Sequence, residues 1–253
     1  MTGIEAHGVV RRFPLEGGGE RLAVGGVHLR VEPGEFVVLL GPSGCGKTTL
    51  LKILSGLDQP DEGSVTLRAS GDGAPVISHM FQEPRLLPWL RVRDNLSFVL
   101  DGARRGDTRL LEAWLERVGM AGLGREYPAR LSTGMQQRVA VARAMVVEPD
   151  VLFMDEPFSA LDELTAMSMR QELLGLWREL GCTVVMVTHN PLEAVQLADR
   201  VIVMTASPGR VRAEIALSET FPRPRDPESP ELWRASREAV RHLGAQPVQG
   251  RVS

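Results

Sequence analysis

The run Gly41-Pro42-Ser43-Gly44-Cys45-Gly46-Lys47-Thr48 constrains this chain more than any other feature. It fits G-x-x-x-x-G-K-[S/T] at every fixed position, and its flanks have the required character. Before it, Phe36–Leu40 is an uninterrupted apolar, β-rich stretch that reads as a buried strand. After it, Leu50, Ile53, Leu54 and Leu57 recur at helical spacing, with Gly56 near the stop. A strand, a glycine loop and a helix in that order gather backbone N–H groups and a positive helix end around one point. Glycines remove the Cβ atoms that would hold phosphate oxygens away. Lys47 supplies a mobile ammonium for β- and γ-phosphates, and Thr48 offers a hydroxyl to Mg²⁺. Cys45 reads as a small filler in the loop rather than a redox switch.

The rest of the chain alternates strands with helices. Val65–Leu67 and Val76–Met80 read as short strands around the turn Gly71-Asp72-Gly73, and Val151–Met154, Thr183–Val187 and Val201–Met204 as three more. Helices separate the last three, one with Met169, Leu173, Leu176, Trp177 and Leu180 on a single face. From Pro84 to Arg130 the pattern is helical, with Leu111, Trp114, Leu115 and Val118 on one side and glycine breaks between segments. This alternation predicts a largely parallel sheet covered on both faces. Residues 1–220 form the expected main domain, with a helical insert at about 84–148. From Phe221 the chain changes character. Pro222, Pro224, Pro227 and Pro230 fall among charges, so 221–253 is a linker or surface wrap, with a short helix over Leu232–Leu243.

Composition narrows the partners. The net charge of −3 lacks the basic excess that grips nucleic acid. Two cysteines exclude a disulfide scaffold and argue against a multi-cysteine zinc site. No apolar stretch approaches the ~20 residues of a membrane helix, and Met1–Val10 lacks a signal-peptide pattern, so an intracellular protein is expected.

A second chemical cluster lies at Asp155-Glu156-Pro157, where the strand Val151–Met154 runs out of the core. In a sheet of this kind the carboxyl ends of the strands carry the ligand. Asp155 can bind Mg²⁺ directly or through water, and Glu156 can polarise a water attacking a γ-phosphate. Further back, Met135, Val139, Ala142 and Val146 recur at helical spacing, so a helix starts near Gly134. Ser132 stands before it, where its oxygen can cap the helix and its hydroxyl can meet an anion.

Leu131-Ser132-Thr133-Gly134-Met135-Gln136-Gln137-Arg138 resembles the signature of ABC-type ATPases, and the match continues through Asp155-Glu156-Pro157, Ser159-Ala160-Leu161-Asp162 and Thr188-His189. The resemblance implies an α/β P-loop NTPase fold with a mostly parallel central sheet, an N-terminal β region and a helical subdomain insert. It implies ATP hydrolysis with ATP and Mg²⁺, and it extends the nucleotide contacts to Thr49. Gln82 matches the glutamine that reaches Mg²⁺ and the attacking water, His189 the histidine at the γ-phosphate, and Asp162 the aspartate that communicates between two copies. Phe13 is the candidate for stacking on adenine, or else a core phenylalanine. Ser132, Thr133, Gly134 and Met135 would act on the ATP held by the partner subunit, which makes the working form a homodimer. Thr133 stands where the family usually has glycine: either its backbone angle is ordinary or the composite site is weakened, and the first is favoured. Asn190 stands where aspartate is frequent.

Phe81-Gln82-Glu83-Pro84-Arg85-Leu86-Leu87-Pro88-Trp89-Leu90 resembles the importer subgroup serving nitrate, taurine and aliphatic sulfonates, as do Ser207–Val211 and Pro222–Asp226. That subgroup implies separate membrane permease subunits, an extracytoplasmic substrate-binding protein, and a peripheral place on the cytoplasmic face of the bacterial inner membrane. Leu86, Leu87 and Trp89 could form a socket for a permease helix, pack the insert's own core, or do both. The alternative is a soluble ABC ATPase of DNA repair or translation. Only 85 positions separate Lys47 from Ser132, leaving no room for a long coiled-coil insertion, and no second glycine loop follows.

Overall fold

Every residue of Phe36–Leu40 is buried, as its unbroken apolar run requires, and the strand it forms leads directly into the glycine loop. The computed structural model describes residues 2–69, 73–217, 223, 225, 226 and 229–244. In chain order the elements are β1 (Thr2–Pro14), β2 (Glu20–Val31), β3 (Phe36–Leu40), α1 (Lys47–Leu54), β4 (Glu62–Ala69), β5 (Ile77–Met80), α2 (Val92–Ser97) and α3 (Thr108–Arg117). They continue with α4 (Thr133–Met145), β6 (Val151–Asp155), α5 (Glu163–Leu180), β7 (Thr183–Thr188), α6 (Pro191–Leu197), β8 (Arg200–Met204), β9 (Val211–Ala216) and α7 (Pro230–Gly244). The chain divides into two compact units, one of Thr2 with Ala69–Val184, the other of Gly3–Arg68 with the residues from Val185 onward.

In the first unit β5 and β6 pair in parallel, Ile77 opposite Val151 and Met80 opposite Met154. β6 is buried along its whole length, which brings Asp155 to the end of an apolar strand. Helices α2 to α5 belong to this unit. The face read from the sequence in α3 is its core side: Leu111, Trp114, Leu115 and Val118 are all buried. On α5, Met169, Leu173 and Leu176 are buried, whereas Trp177 and Leu180 are half-buried toward the helix end, where the Trp177 indole donates to the Cys182 carbonyl.

In the second unit β3 pairs in parallel with β8, Val37 opposite Arg200 and Leu40 opposite Val203, and β9 closes the edge antiparallel to β8. β1 and β2 form an antiparallel pair with three register shifts, joined by β4 in the order β2-β1-β4. Helices α1, α6 and α7 complete the unit.

Several expectations are corrected. Leu57 does not lie on α1, which is capped at Ser55. Gly56 follows with φ 76°, and Leu57 is exposed beyond that left-handed stop. The strand read from Val76 begins at Ile77. The stretch 84–91 is not helical, since Pro84 and Pro88 interrupt it and α2 starts only at Val92. Gly71 and Asp72 of the turn, and Phe221, Pro222, Pro224 and Pro227 of the tail, lie outside the described residues.

Candidate functional site

The glycine loop sits in the second unit, and its tight path depends on glycines. Gly44 and Gly46 have φ of 75° and 101°, a region open to glycine and costly to other residues. A Cβ at Gly46 would come within 2.4 Å of the Ala23 carbonyl oxygen, so β2 presses against the loop from behind. Gly209 closes the same wall. A Cβ there would lie 2.2 Å from the Cys45 carbonyl, its N–H donates to the Ala23 carbonyl at 2.9 Å, and its own carbonyl accepts from the Gly25 N–H at 3.0 Å. The Lys47 side chain is nearly buried and folds back over the loop, its Nζ donating to the carbonyls of Gly41 at 2.8 Å and Pro42 at 3.0 Å. Pro42, Ser43 and Gly44 are exposed, and Thr48 and Thr49 are half-buried in the first turn of α1. Cys45 is buried, and desolvation pushes its thiol above the usual range despite the nearby Lys47 charge. A thiol held protonated is a poor nucleophile, which fits a packing role.

His189 is exposed just past β7 in the same unit. The turn around it is closed by hydrogen bonds. The Asn190 N–H donates to Thr188 Oγ1 at 3.0 Å, Thr188 in turn donates to the Glu193 carboxylate, and Asn190 Oδ1 accepts from the N–H groups of Leu192 and Glu193. Asn190 is thus the N-cap of α6, a place asparagine and aspartate fill equally well, which accounts for the departure at this position. Phe13, at the end of β1, is half-exposed rather than a core residue, with the Arg11 guanidinium 5.1 Å from its ring centre. Its neighbours fix that strand end: Arg11 pairs with Asp58 and Asp61, and Arg12 with Glu62.

The first unit holds the carboxylates and the signature. Asp155 is nearly buried at the end of β6, and Glu156 follows with φ 43°. A glutamate in the left-handed region costs about 1–2 kcal/mol. The turn after it is tied down: Ser159 N–H and Oγ both donate to the Glu156 carbonyl, at 3.2 and 3.0 Å, and buried Gln137 of α4 donates to the Pro157 carbonyl. Gln82 is exposed, and its amide donates to Ser159 Oγ at 3.4 Å, which joins it to the same turn.

Ser132 is the N-cap of α4, with its Oγ accepting from the Met135 N–H at 3.3 Å. Thr133 is the first residue of that helix, and no left-handed angle occurs at it, so the ordinary-backbone alternative holds. Asp162 is likewise an N-cap, on α5, accepting from the Thr165 N–H at 3.0 Å, and that bond lowers its carboxyl pKa. Ser132, Gly134, Met135 and Asp162 line one open cavity of about 510 Å³. Two caps from distant parts of the sequence therefore share one surface.

The sequence model of the ABC transporter family matches residues 24–159. The chain belongs to the ABC transporter family. It is an ATP-binding, ATP-hydrolysing import subunit of that family. The aliphatic sulfonates import ATP-binding protein of Burkholderia cenocepacia is 46% identical over 216 residues, which is 85% of this chain and 79% of that one. The nitrate import ATP-binding protein of Synechococcus elongatus is 39% identical over 245 residues, 92% of this chain but 37% of that longer protein. Among solved structures, a dimeric ATP-binding cassette in a post-hydrolysis state with ADP and Pi superposes with a TM-score of 0.73 at 31% identity. The match covers 85% of this chain and 98% of that one.

In this ABC ATPase the segment 81–91 is held from within its own unit. Asn95 is fully buried; its Oδ1 accepts from the Leu87 N–H at 2.7 Å, and its Nδ2 donates to the carbonyls of Leu87, Leu90 and Arg91. Arg143 of α4 donates to the carbonyls of Pro84 and Arg85. With the backbone fixed, Leu86 and Leu87 are half-buried and Trp89 is 70% exposed. So the leucines pack partly inward while the tryptophan points to solvent. Sequence reading missed Asn95, Arg143 and Gly209. Gly209 carried a signal, since Ser207-Pro208-Gly209-Arg210-Val211 stood out as a motif, but its use as a wall behind the loop appears only in three dimensions.

Proposed function

We propose that two copies of this chain close around two ATP molecules and drive a separate membrane permease that imports a small oxyanion, an aliphatic sulfonate or nitrate. The observation that carries the reading is the exposed start of α4. Its first-turn N–H groups, the Ser132 hydroxyl and the positive end of the helix make an anion site, on a surface shared with Asp162. The chain already owns a phosphate loop at α1. A second anion site of a different design on the same chain is explained when it serves the nucleotide of another copy. The dimeric cassette with ADP and Pi supports that pairing.

The loop 41–48 grips the triphosphate, with Lys47 released from the Gly41 and Pro42 carbonyls to the β- and γ-phosphates and Thr49 adding a contact behind Thr48. Thr48, Asp155 and Gln82 offer hydroxyl, carboxylate and amide oxygens, a hard donor set that suits Mg²⁺, which when bound would offset phosphate charge. Glu156 takes the proton of the attacking water, while His189 contacts the γ-phosphate. Asp162 relays the state of one copy to the other, and Phe13 stacks on adenine. Among the described residues no helix is long and apolar enough to cross a membrane. The names of the import relatives support a pore formed by separate permease subunits. Trp89, with Leu86 and Leu87 behind it, meets that permease. The place of work is then the cytoplasmic face of the inner membrane, with an extracytoplasmic binding protein delivering the solute. The names of the sulfonate and nitrate import relatives support the solute class.

Glu156→Gln keeps the shape and removes the base, so this variant with Mg-ATP accumulates a dimer, measured by light scattering. A variant that binds ATP and stays monomeric at all protein concentrations overturns the closed-dimer reading.

A further inference from the structure

Helix α6 has only seven residues, too few to hold its shape without outside support. Its amino end is fastened to the turn that carries His189, through Asn190, Thr188 and Glu193 as described above. Its carboxyl end is fastened by the tail. Arg225 donates to the carbonyls of Val195 and Ala198, and Arg223 donates to the carbonyl of Leu197. Arg223 also pairs with Asp199 at 3.0 Å, and the other oxygen of Asp199 accepts from the Phe36 N–H at 2.9 Å. Both arginines are thus held against the last carbonyls of α6, where a helix presents its negative end. The same grip reaches the first residue of β3, the strand that feeds the phosphate loop.

The grip is costly. Arg225 is buried, and desolvation, together with the neighbouring Arg223 charge, lowers its pKa to about 10. A tail that merely covered the surface would not need to place two guanidinium groups there. Lysine could not replace them in kind, because a single ammonium cannot reach carbonyls spread along the last turn as a planar fork does.

We propose that Arg223 and Arg225 are positioning residues for His189: they clamp the carboxyl end of α6, and α6, fastened at its other end to Thr188 and Asn190, sets where the imidazole stands. The proposal rests on the reading of His189 as the γ-phosphate contact. Arg225 touches no reacting group and acts through the helix.

The test uses the full chain with Arg225→Ala, Arg225→Lys, His189→Ala and the double variant Arg225→Ala/His189→Ala. Steady-state hydrolysis of Mg-ATP gives kcat and KM, and ring resonances report the five histidines directly. His189→Ala assigns its own signal. Arg225→Ala is expected to lower kcat about tenfold while KM moves less than about twofold, and to cause no further loss once His189 is gone. Its spectrum should show the His189 resonance shifted or broadened while those of His7 and His28 stay in place. Arg225→Lys recovers part of kcat, and the same spectrum on this milder variant decides the matter if the alanine form does not fold. The clamp is overturned if the His189 resonance is unmoved, or if Arg225→Ala costs the same factor with and without His189. If His189→Ala keeps the wild-type kcat, the γ-phosphate reading fails instead, and with it the catalytic meaning of the clamp.

Discussion

In the proposed dimer Ser132 has two separable jobs, and one substitution pulls them apart. Its Oγ accepts from the Met135 N–H, an ordinary helix cap, while its hydroxyl and the first-turn amides of α4 face an open cavity. Aspartate caps a helix about as well as serine does, so Ser132→Asp should leave the thermal midpoint unchanged or slightly raised. Ser132→Ala should lose about 1 kcal/mol, which for a chain of this size is a fall of about 2–4 °C. Activity should follow the opposite order. A carboxylate in the capping position stands ~5 Å from an anion held on the same amides, and with an effective dielectric of ~20 the repulsion is about 3 kcal/mol. That corresponds to a loss of roughly two orders of magnitude in ATP turnover for Ser132→Asp, whereas Ser132→Ala keeps the amides and loses only one hydroxyl. The assays are differential scanning calorimetry and phosphate release at saturating Mg-ATP. If Ser132→Asp hydrolyses ATP at the wild-type rate, the start of α4 is a cap and nothing more.

Gly46→Ala brings a Cβ within 2.4 Å of the Ala23 carbonyl at φ 101°, so loss of nucleotide binding is expected in a fluorescent-ATP titration. Gly44→Ala meets no atom within 4 Å, and its milder effect is the control. Thr133→Gly relieves no strain, since 133 is an ordinary helical position; ATP turnover should change by less than about twofold, and a tenfold rise would mean that threonine had impaired the site. If Trp89 is the permease anchor proposed above, Trp89→Ala should abolish solute uptake in reconstituted vesicles while basal ATP hydrolysis stays within about twofold, because truncating an exposed anchor removes binding to the partner and little else.

The parts of this molecule that depend on neighbours in sequence were legible from it. Phe36–Leu40 and Val151–Met154 are strands because nothing in them tolerates water. The loop between β3 and α1 is recognisable because its glycines and lysine stand at fixed intervals. Ser132 reads as a cap because of the helical spacing that follows it. The illegible parts depend on partners far along the chain. Asn95 looks like any polar residue in a helix until four of its hydrogen bonds are seen to fix the turn that displays Trp89. Phe13 reads equally as an adenine-stacking or a core residue, because its exposure follows from how β1 ends rather than from its own type. Arg223 and Arg225 stood out only as part of a motif. Their use depends on α6, some thirty positions earlier, whose last carbonyls they hold.

The positive φ at Glu156 decides which variants there can be compared. Glutamine inherits the same handedness at the same conformational cost, so the difference between the two reports charge alone. Valine or isoleucine, whose branched Cβ resists that handedness, would drag the Ser159 turn and the Gln137 tie along with it. An inactive branched variant would therefore say nothing about proton transfer. Glycine is at ease in the bend, and it separates a lost carboxylate from a distorted chain.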